Sequence, residues 1–309
     1  MIDELDTKLI VELQRDSRQS NRRLATFLGI NEATVRRRIQ YLVSSGTIIL
    51  TAVPDLSMLG YPLRVHFIIS VEHSRIDDVG RNLRKIPSLR FIATCVGTAD
   101  FVARGNFESL DSLVDVTARE IGKIEGINQI DSLIESKRLK FTYHRIGVSA
   151  ITKKKQPNCV IHINETDRRL ILLLQKDART PLKELTKQLG LSDSTVSRHI
   201  RDLVSSETIE LTAIPDNSKV GYPIRCSLRI ATVPSMIMEI AESIAQYSQV
   251  STVVIVSGPV QILVGMHLAS ADNLSKFVET ELNKIKGIRG IEVLTYLKIL
   301  KNNYSWLQE

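Results

Sequence analysis

Apolar residues near the start of the chain recur every three or four positions, which is the spacing of one face of a helix. In the first such stretch they are Leu5, Leu9, Ile10 and Leu13. A second predicted helix runs from about Ser20 to Gly29, and a third begins after Asn31, whose side chain suits an N-cap. Three short helices in this arrangement are typical of a helix-turn-helix domain, and we call the third one the reader helix.

After residue 47 the apolar spacing alternates between that of strands and that of helices. Residues 47–53 are predicted to form a strand. The elements that follow are predicted at 65–71 (strand), 76–86 (helix), 91–96 (strand), 101–107 (strand), 110–121 (helix) and 127–141 (strand). This order, βαββαβ, is the ferredoxin-like pattern, so we expect a protein of the α+β class.

The whole pattern occurs twice, at a constant offset of 161 residues. The segment Thr47–Pro62 returns as Thr208–Pro223, with 11 of 16 residues identical. We therefore expect two structural copies, the second with its reader helix capped by Ser192. In this copy the second helix is predicted to start with Thr180 as N-cap and Pro181 at the first helical position.

The repeat also sets the domain boundaries of this chain of 309 residues. A run of lysines followed by a proline, at 153–158, indicates a linker between the copies. The predicted domains are a helix-turn-helix domain at 1–46, a ferredoxin-like domain at 47–147, the linker at 148–163, a helix-turn-helix domain at 164–207 and a ferredoxin-like domain at 208–309.

Composition narrows the function further. The formal net charge of +7 and the pI of about 9.3 favour a polyanionic partner, although a charge of this size is only a general indication. Cys95, Cys159 and Cys226 are too widely spaced for a disulfide framework or a zinc site, and Cys159 with His162 would supply only two metal ligands. With no run of about 18 apolar residues and an acidic N-terminus, we expect a cytoplasmic protein without a membrane span, metal or cofactor.

The first reader helix has a face whose chemistry suits the major groove of DNA. A helical wheel places its apolar stripe inward and leaves six candidate DNA contacts outward or beside the outward face. These are Ala33, Thr34, Arg36, Arg37, Arg38 and Gln40. Arg37 is the first candidate for base contact, because arginine makes two hydrogen bonds to guanine as glutamine does to adenine.

The second reader helix carries a related but different set. Its candidate DNA contacts are Ser194, Thr195, Ser197, Arg198, His199 and Arg201. The copies agree at Arg37 and Arg198 but differ at Gln40 and Arg201, so related but unequal half-sites are expected. The alternative is that such an arginine-rich face is ordinary solvated surface.

Four segments of the chain resemble the Lrp/AsnC family of feast/famine regulators, and the likeness covers essentially the whole chain twice. They are Leu5–Ile10, Leu28–Ile39, Gly46–Ile48 and Val96–Val102. The resemblance implies a ferredoxin-like domain of the RAM type that dimerises and binds a small effector, often an amino acid, near a Gly-x-x-Asp turn. It places Gly97, Thr98 and Asp100 in that effector site.

The chemistry of the turn fits this role. A glycine lets a ligand approach the backbone, exposed amides can hold a carboxylate, and Asp100 can accept from an ammonium group. The alternative is that Gly97 and Asp100 merely shape a hairpin. The second copy reads Gly258-Pro259-Val260-Gln261, without a carboxylate, so we do not expect it to bind an amino acid in the same way.

The fusion has a further consequence, because relatives of one half work as dimers. A linker of about a dozen residues raises the local concentration of the halves to roughly millimolar and favours pairing within one chain. We expect an intrachain pseudo-dimer that binds double-stranded DNA at half-sites one helical turn apart or a multiple of it. Assembly of several chains is left open.

Two rival functions remain at this point. Sirohaem decarboxylases resemble the same two-domain architecture, but they would need suitably placed histidines. The histidines, which share no motif between the copies, are His66, His73, His144, His162, His199 and His267. The other rival is a ligand-binding module without DNA contact, which the run Arg36–Arg38 disfavours. We therefore expect a regulator and not an enzyme.

Overall fold

The first half of the chain begins with a bundle of three helices. A computed structural model describes residues 2–142 and 163–303. The three helices are α1 (Glu4–Arg15), α2 (Asn21–Leu28) and α3 (Glu32–Ser44). Asp3 and Asp6 form a capping box at the start of α1, and Gly29 ends α2 in the left-handed conformation (φ 68°) that glycine adopts without strain.

The rest of the first half contains five strands and two helices in the predicted order. They are β1 (Ile48–Pro54), β2 (Leu63–Val71), α4 (Ile76–Lys85), β3 (Leu89–Val96), β4 (Phe101–Phe107), α5 (Leu110–Asp115) and β5 (Ile127–Phe141). A π-helical turn, Val116–Ile121, continues α5 and completes the helix expected at 110–121.

The second half repeats these elements. They are α6 (Glu165–Lys176), α7 (Leu182–Leu189), α8 (Asp193–Ser205), β6 (Ile209–Pro215), β7 (Ile224–Thr232), α9 (Ile237–Ala245), β8 (Val250–Val256), β9 (Ile262–Leu268), α10 (Ala271–Lys276) and β10 (Ile288–Asn302). Nearly every boundary lies 161 residues after its counterpart. The α+β class and the duplicated order are therefore confirmed.

The expected start of α7 was wrong by one position. Pro181 has extended backbone geometry (ψ 142°), and its carbonyl accepts the first helical hydrogen bond, from the amide of Leu185. Pro181 is therefore the N-cap residue and Leu182 the first helical one. The hydroxyl of Thr180 donates to the carbonyl of Asp177 at 2.7 Å and does not cap the helix.

The two ferredoxin-like domains join through the edges of their sheets. In the first half the strand order is β3-β4-β2-β5, and in the second it is β8-β9-β7-β10. Strand β5 pairs with β8 and β10 pairs with β3, both antiparallel, so that eight strands close on themselves. We call this arrangement the closed sheet. Each edge strand thus pairs with an edge strand of the other half, so the two sheets cover each other's edges.

Each ferredoxin-like domain has its own core, and a further core lies between the two. Phe67 and Phe101 are fully buried between the helices and the sheet of the first half. The core that joins the domains contains Leu133 and Leu294, one from each long last strand, with residues of β3, β4, β8 and β9. Burial of this shared apolar surface stabilises the pairing of the halves.

Strands β1 and β6 form a separate two-stranded ribbon, in which Thr51 faces Thr212. Apolar side chains of this ribbon, including Ile48 and Ile209, pack in one continuous core with the helices of both bundles. The domain boundary that we predicted at residue 47 assigns β1 to the ferredoxin-like domain, whereas its packing partners are helices. This packing depends on contacts between distant segments, which periodicity does not show.

The predicted linker is described only at residue 163. Residues 148–162 of the predicted linker lie outside the described residues. In the described ranges, none of the helices has both the length and the apolar character that crossing a membrane requires.

Candidate DNA interface and effector turn

The first reader helix, α3, is fixed at its start by a cap and a tight turn. The side chain of Asn31 accepts a hydrogen bond from the amide of Thr34 at 2.8 Å, as the sequence predicted. Gly29 turns the chain between α2 and α3. This local geometry sets the direction of α3 relative to α2.

The outward face of α3 is largely open to solvent. Val35, Ile39 and Leu42 are buried against the bundle. On the opposite side Ala33, Arg36, Arg37 and Gln40 are exposed, and Thr34 is half-buried. The structure therefore brings five of the six predicted contacts to one accessible surface.

The second reader helix, α8, presents an equivalent surface. Ser192 caps it by accepting from the amide of Thr195 at 3.3 Å. Its exposed predicted contacts are Ser194, Arg198 and Arg201, and its half-buried ones are Thr195, Ser197 and His199. The two copies of the reader thus share an exposed arginine, Arg37 or Arg198, at the same helical position.

Arg38 and His199, which are equivalent residues, contact their own bundles. Arg38 Nη1 lies 2.7 Å from Asp6 Oδ1 and 2.8 Å from Asp3 Oδ2. His199 Nδ1 lies 2.6 Å from Asp167 Oδ1, and Asp167 is the counterpart of Asp6. Hydrogen bonds to Asp6 and Asp3 raise the pKa of Arg38. Both side chains therefore tie the reader helix to the first helix, where the wheel had placed them beside the outward face.

Two further exposed arginines, beyond those predicted on the reader helix, lie on the preceding helix of the motif. Arg22 and Arg23 are exposed on α2, the helix that precedes α3 in the motif. In helix-turn-helix proteins this helix crosses the DNA backbone, so both are suited to phosphate contact. Their outward positions follow from the helical spacing of α2, whose buried residues are Leu24 and Ala25.

The two bundles are bonded directly to each other. Arg18 Nη1 donates to the carbonyl of Ala178 at 2.7 Å and to that of Thr180 at 3.0 Å. In return Arg179, the counterpart of Arg18, donates to the carbonyl of Ser17 at 3.2 Å. These reciprocal contacts join the two bundles directly.

The turn that contains the predicted effector residues lies against the second half. A Cβ on Gly97 (φ 134°) would collide with the carbonyl oxygen of Val293 in β10. Thr98 Oγ1 donates to Glu292 Oε2 at 3.0 Å. Only glycine can adopt this conformation and allow this close approach without strain, so the turn serves the contact between the halves.

Asp100 already has a hydrogen-bond partner inside its own domain. Its Oδ2 accepts from the amide of Val71, at the end of β2, at 2.8 Å. In the second copy Gln261 Oε1 accepts from the equivalent amide, that of Thr232, at 2.9 Å. An amide oxygen thus replaces a carboxylate oxygen, which supports the hairpin-shaping alternative for Asp100.

A cavity of about 460 Å³ lies between the ribbon and the closed sheet. The ribbon contributes Ile49 and Ile214 to its wall. From the closed sheet it is lined by charged and polar side chains that include His66, Arg104, Arg225 and His267. Its residues come from strands that are far apart in the chain, so the sequence pattern does not reveal this site.

The described residues do not assemble a metal site. In residues 2–142 and 163–303, no three side chains of histidine, cysteine, aspartate or glutamate come together in a group that could hold a metal ion. Cys159 and His162, the pair considered from the sequence, lie outside those residues.

Family models match both kinds of domain in each half. A model of the Lrp/AsnC ligand binding domain matches residues 65–144 and 225–306, together more than half of the chain. An AsnC-type helix-turn-helix domain matches residues 2–43, and a winged helix-turn-helix DNA-binding model matches residues 163–210.

Curated relatives match one half of the chain at a time. The HTH-type transcriptional regulator FL11 of Pyrococcus abyssi is 29% identical over 142 residues, which cover 46% of this chain and 93% of that protein. The HTH-type transcriptional regulator LrpA of Pyrococcus horikoshii is 29% identical over 140 residues, covering 45% of this chain and 99% of that protein.

The solved structure of the siroheme decarboxylase NirDL is similar over the full length. It aligns with 97% of this chain and 93% of its own, with a TM-score of 0.70 and 15% identity. At this identity the likeness shows a common fold only.

Paired helix-turn-helix bundles followed by ligand-binding domains define a DNA-binding transcription regulator. The chain belongs to the Lrp/AsnC family, as a tandem duplication of its two domains. The resemblance stated from the sequence is thereby confirmed.

Proposed function

We propose that one chain acts as an intrachain pseudo-dimer, with α3 and α8 in neighbouring segments of the major groove of one DNA site. The observation that carries this proposal is the pair of exposed cationic faces on bundles that are bonded to each other across the halves. Dimeric helix-turn-helix proteins bind half-sites about 34–36 Å apart or a multiple of that distance, and we expect the same spacing here. This role fits the cytoplasmic location expected from the sequence.

We assign the DNA contacts as follows. Arg37 and Arg198 read bases, with guanine as their preferred partner. The remaining contacts to bases or phosphates are Ala33, Thr34, Arg36, Gln40, Ser194, Thr195, Ser197 and Arg201. Arg38 and His199 position the reader helices instead, since their partners are acids of the first helix.

The proposal includes regulation by a small effector such as an amino acid. Gly97, Thr98 and Asp100 are its proposed contacts, and they fall within the match to the family's ligand-binding domain. Gly97 and Thr98 are exposed at the surface, and Asp100 is half-buried with its Oδ2 bonded to the amide of Val71.

Quantitative footprinting of the intact chain on genomic fragments tests the main proposal. We expect two protected half-sites of unequal sequence on one face of the duplex, and one chain bound to each pair. Protection of a single half-site, or two chains for each pair, contradicts the pseudo-dimer. A purified chain that binds no duplex DNA at low salt contradicts the DNA-binding role.

We also propose that the chain is not an enzyme, in line with relatives named as transcription regulators. A tetrapyrrole decarboxylase is the second candidate function. It is favoured by the full-length similarity to NirDL and by the cavity that brings His66 and His267 together. Incubation of the purified chain with sirohaem, followed by absorbance and mass spectrometry, distinguishes the regulator from the decarboxylase. We expect sirohaem to lose no carbon dioxide. Decarboxylation with turnover would contradict the proposal that the chain is not an enzyme.

A further inference from the structure

A partly buried ion-pair cluster surrounds Arg64 in the first half. Arg64 Nη2 lies 2.7 Å from Asp55 Oδ1, and its Nη1 lies 3.8 Å from Glu135 Oε1. Arg138 donates to both oxygens of Glu135, at 2.7 and 2.8 Å. Burial alone would raise the pKa of Glu135, but Arg138 and the hydrogen bond with His66 outweigh it, so the pKa is lowered. Every charge in this cluster thus has an opposite partner nearby.

The equivalent arginine of the second half, Arg225, has lost these partners. Tyr296 is the residue of the second half that is equivalent to Glu135. Asp216, the counterpart of Asp55, binds the hydroxyl of Ser218 at 2.6 Å, and no ion pair joins it to Arg225. The guanidinium of Arg225 instead lies 4.5 Å from the ring centre of Phe91 and 5.6 Å from that of Tyr296. Among residues 2–142 and 163–303, no carboxylate pairs with it.

A second guanidinium approaches the same ring. Arg104 lies 4.3 Å from the ring centre of Phe91, and its counterpart in the second half is Gly265. Both Arg104 and Arg225 line the cavity between the ribbon and the closed sheet. Both guanidiniums are positively charged donors, so both are suited to hold a carboxylate in the cavity.

The cavity also offers a buried acceptor and apolar walls. Asn217 Oδ1 is buried and makes no hydrogen bond with the described residues, so a ligand donor would satisfy it. Leu263 and Met266 contribute apolar surface. The volume of about 460 Å³ falls in the range of small-molecule sites, roughly 300–1,000 Å³, and towards its lower end.

We propose that this cavity binds a small organic molecule with a carboxylate, held by Arg225 and Arg104 and packed against Leu263 and Met266. The site is separate from the turn at Gly97–Asp100. The expected consequence of binding rests on the proposed function. Because the ligand contacts both the ribbon and the closed sheet, its binding couples the ligand-binding domains to the packing of the reader helices.

Isothermal titration of the full chain tests the site. The probes are phenylpyruvate, phenylacetate and 2-oxoglutarate, with phenylacetamide as an uncharged isostere and inorganic phosphate as the competing anion. We expect at least one carboxylate to bind at one site per chain, and phenylacetamide not to bind. Arg225→Gln should weaken carboxylate binding by about tenfold or more, because it removes a charge-assisted hydrogen bond.

A matched variant controls for charge. Arg289→Gln removes one positive charge at an exposed position outside the cavity lining, and we expect it to bind the carboxylate as the unmodified chain does. Arg225→Lys keeps the charge without the paired donors, and should bind with intermediate affinity. If Arg225→Gln does not fold, the carboxylate affinity of Arg225→Lys tests the proposal.

Several results would overturn the inference. They are failure of all three carboxylates to bind, equal binding by the Arg225 variants and the unmodified chain, and tighter binding of phosphate than of any carboxylate. If the unmodified chain binds DNA but none of these carboxylates, the inference fails and the proposed function stands. If it binds a carboxylate through Arg225 but no DNA, the proposed function fails.

Discussion

The hydroxyl of Thr51 donates to the main-chain carbonyl of Gln175 at 2.9 Å and so joins β1 of the first half to α6 of the second. Thr212 makes the reciprocal bond to the carbonyl of Gln14, also at 2.9 Å. Thr51 and Thr212 face each other in the ribbon, so these bonds are related by the internal symmetry of the chain. The first helix of each bundle is thus bonded to the strand of the other half.

Replacing both hydroxyls should loosen this connection. In the variant Thr51→Val/Thr212→Val the side chains keep their shape, but two carbonyls lose a donor. We expect the free energy of unfolding to fall by about 1–3 kcal/mol for each bond, measured by urea denaturation. Thr26→Val, which removes an exposed hydroxyl bonded only within its own helix, should change it by less than about 0.5 kcal/mol. A double variant as stable as the unmodified chain would show that the bonds contribute nothing.

Alanine variants of the reader arginines should reveal the unequal half-sites. Arg37→Ala is expected to cost about 1–3 kcal/mol of binding free energy and to relax base preference in one half-site only. Arg198→Ala should act in the same way on the other half-site. Binding to an operator library, followed by sequencing, measures both effects.

The control for this experiment is Arg289→Ala, which removes an equal charge from an exposed position on the ligand-binding domain. We expect it to leave base preference unchanged. If Arg37→Ala weakens all sequences equally, Arg37 contacts phosphate and does not read a base.

Arg38 should matter for stability more than for base preference. Arg38→Ala removes a partner of the buried carboxylate of Asp6, which we expect to cost about 1–3 kcal/mol of unfolding free energy. Arg38→His should retain much of it, because the second half uses His199 at this position. Loss of base preference at unchanged stability would show that Arg38 contacts DNA.

Two variants of Asp100 separate its charge from its hydrogen bond. Asp100→Asn keeps an oxygen acceptor for the amide of Val71, as Gln261 does for Thr232, so we expect its stability to be unchanged. Asp100→Ala leaves that amide without its acceptor and should lose about 1–3 kcal/mol, measured by urea denaturation. If an effector needs the carboxylate, Asp100→Asn will abolish its effect on DNA binding while the fold persists.

The contribution of Glu135 should depend on pH. Its pKa is lowered in the folded protein relative to the ordinary value of 4.5, so its stabilising effect is complete above that value and is lost as the pH falls through the folded pKa. Glu135→Gln should reduce the free energy of unfolding by about 1–3 kcal/mol near neutral pH. The difference between the variant and the unmodified chain should shrink in acid. A difference that grows in acid would contradict the assigned sign.

Several features of the molecule follow from neighbouring residues and could be predicted for that reason. The repeat, the order of helices and strands, and the cap at Asn31 each depend on a short segment. The outward position of Arg37 depends only on the turn of one helix, because three apolar residues of that helix must face the bundle.

Other features depend on residues that are distant in sequence, and only the tertiary structure decided them. Arg38 pairs with Asp6, and β1 packs with the helices of both bundles. Arg225 lies in a cavity without the acidic partner that its counterpart Arg64 has. Periodicity shows which side of an element is buried, but not which partner buries it. That partner is chosen by the packing of the whole chain, in which the free energy of a charged or polar side chain depends on the groups that surround it.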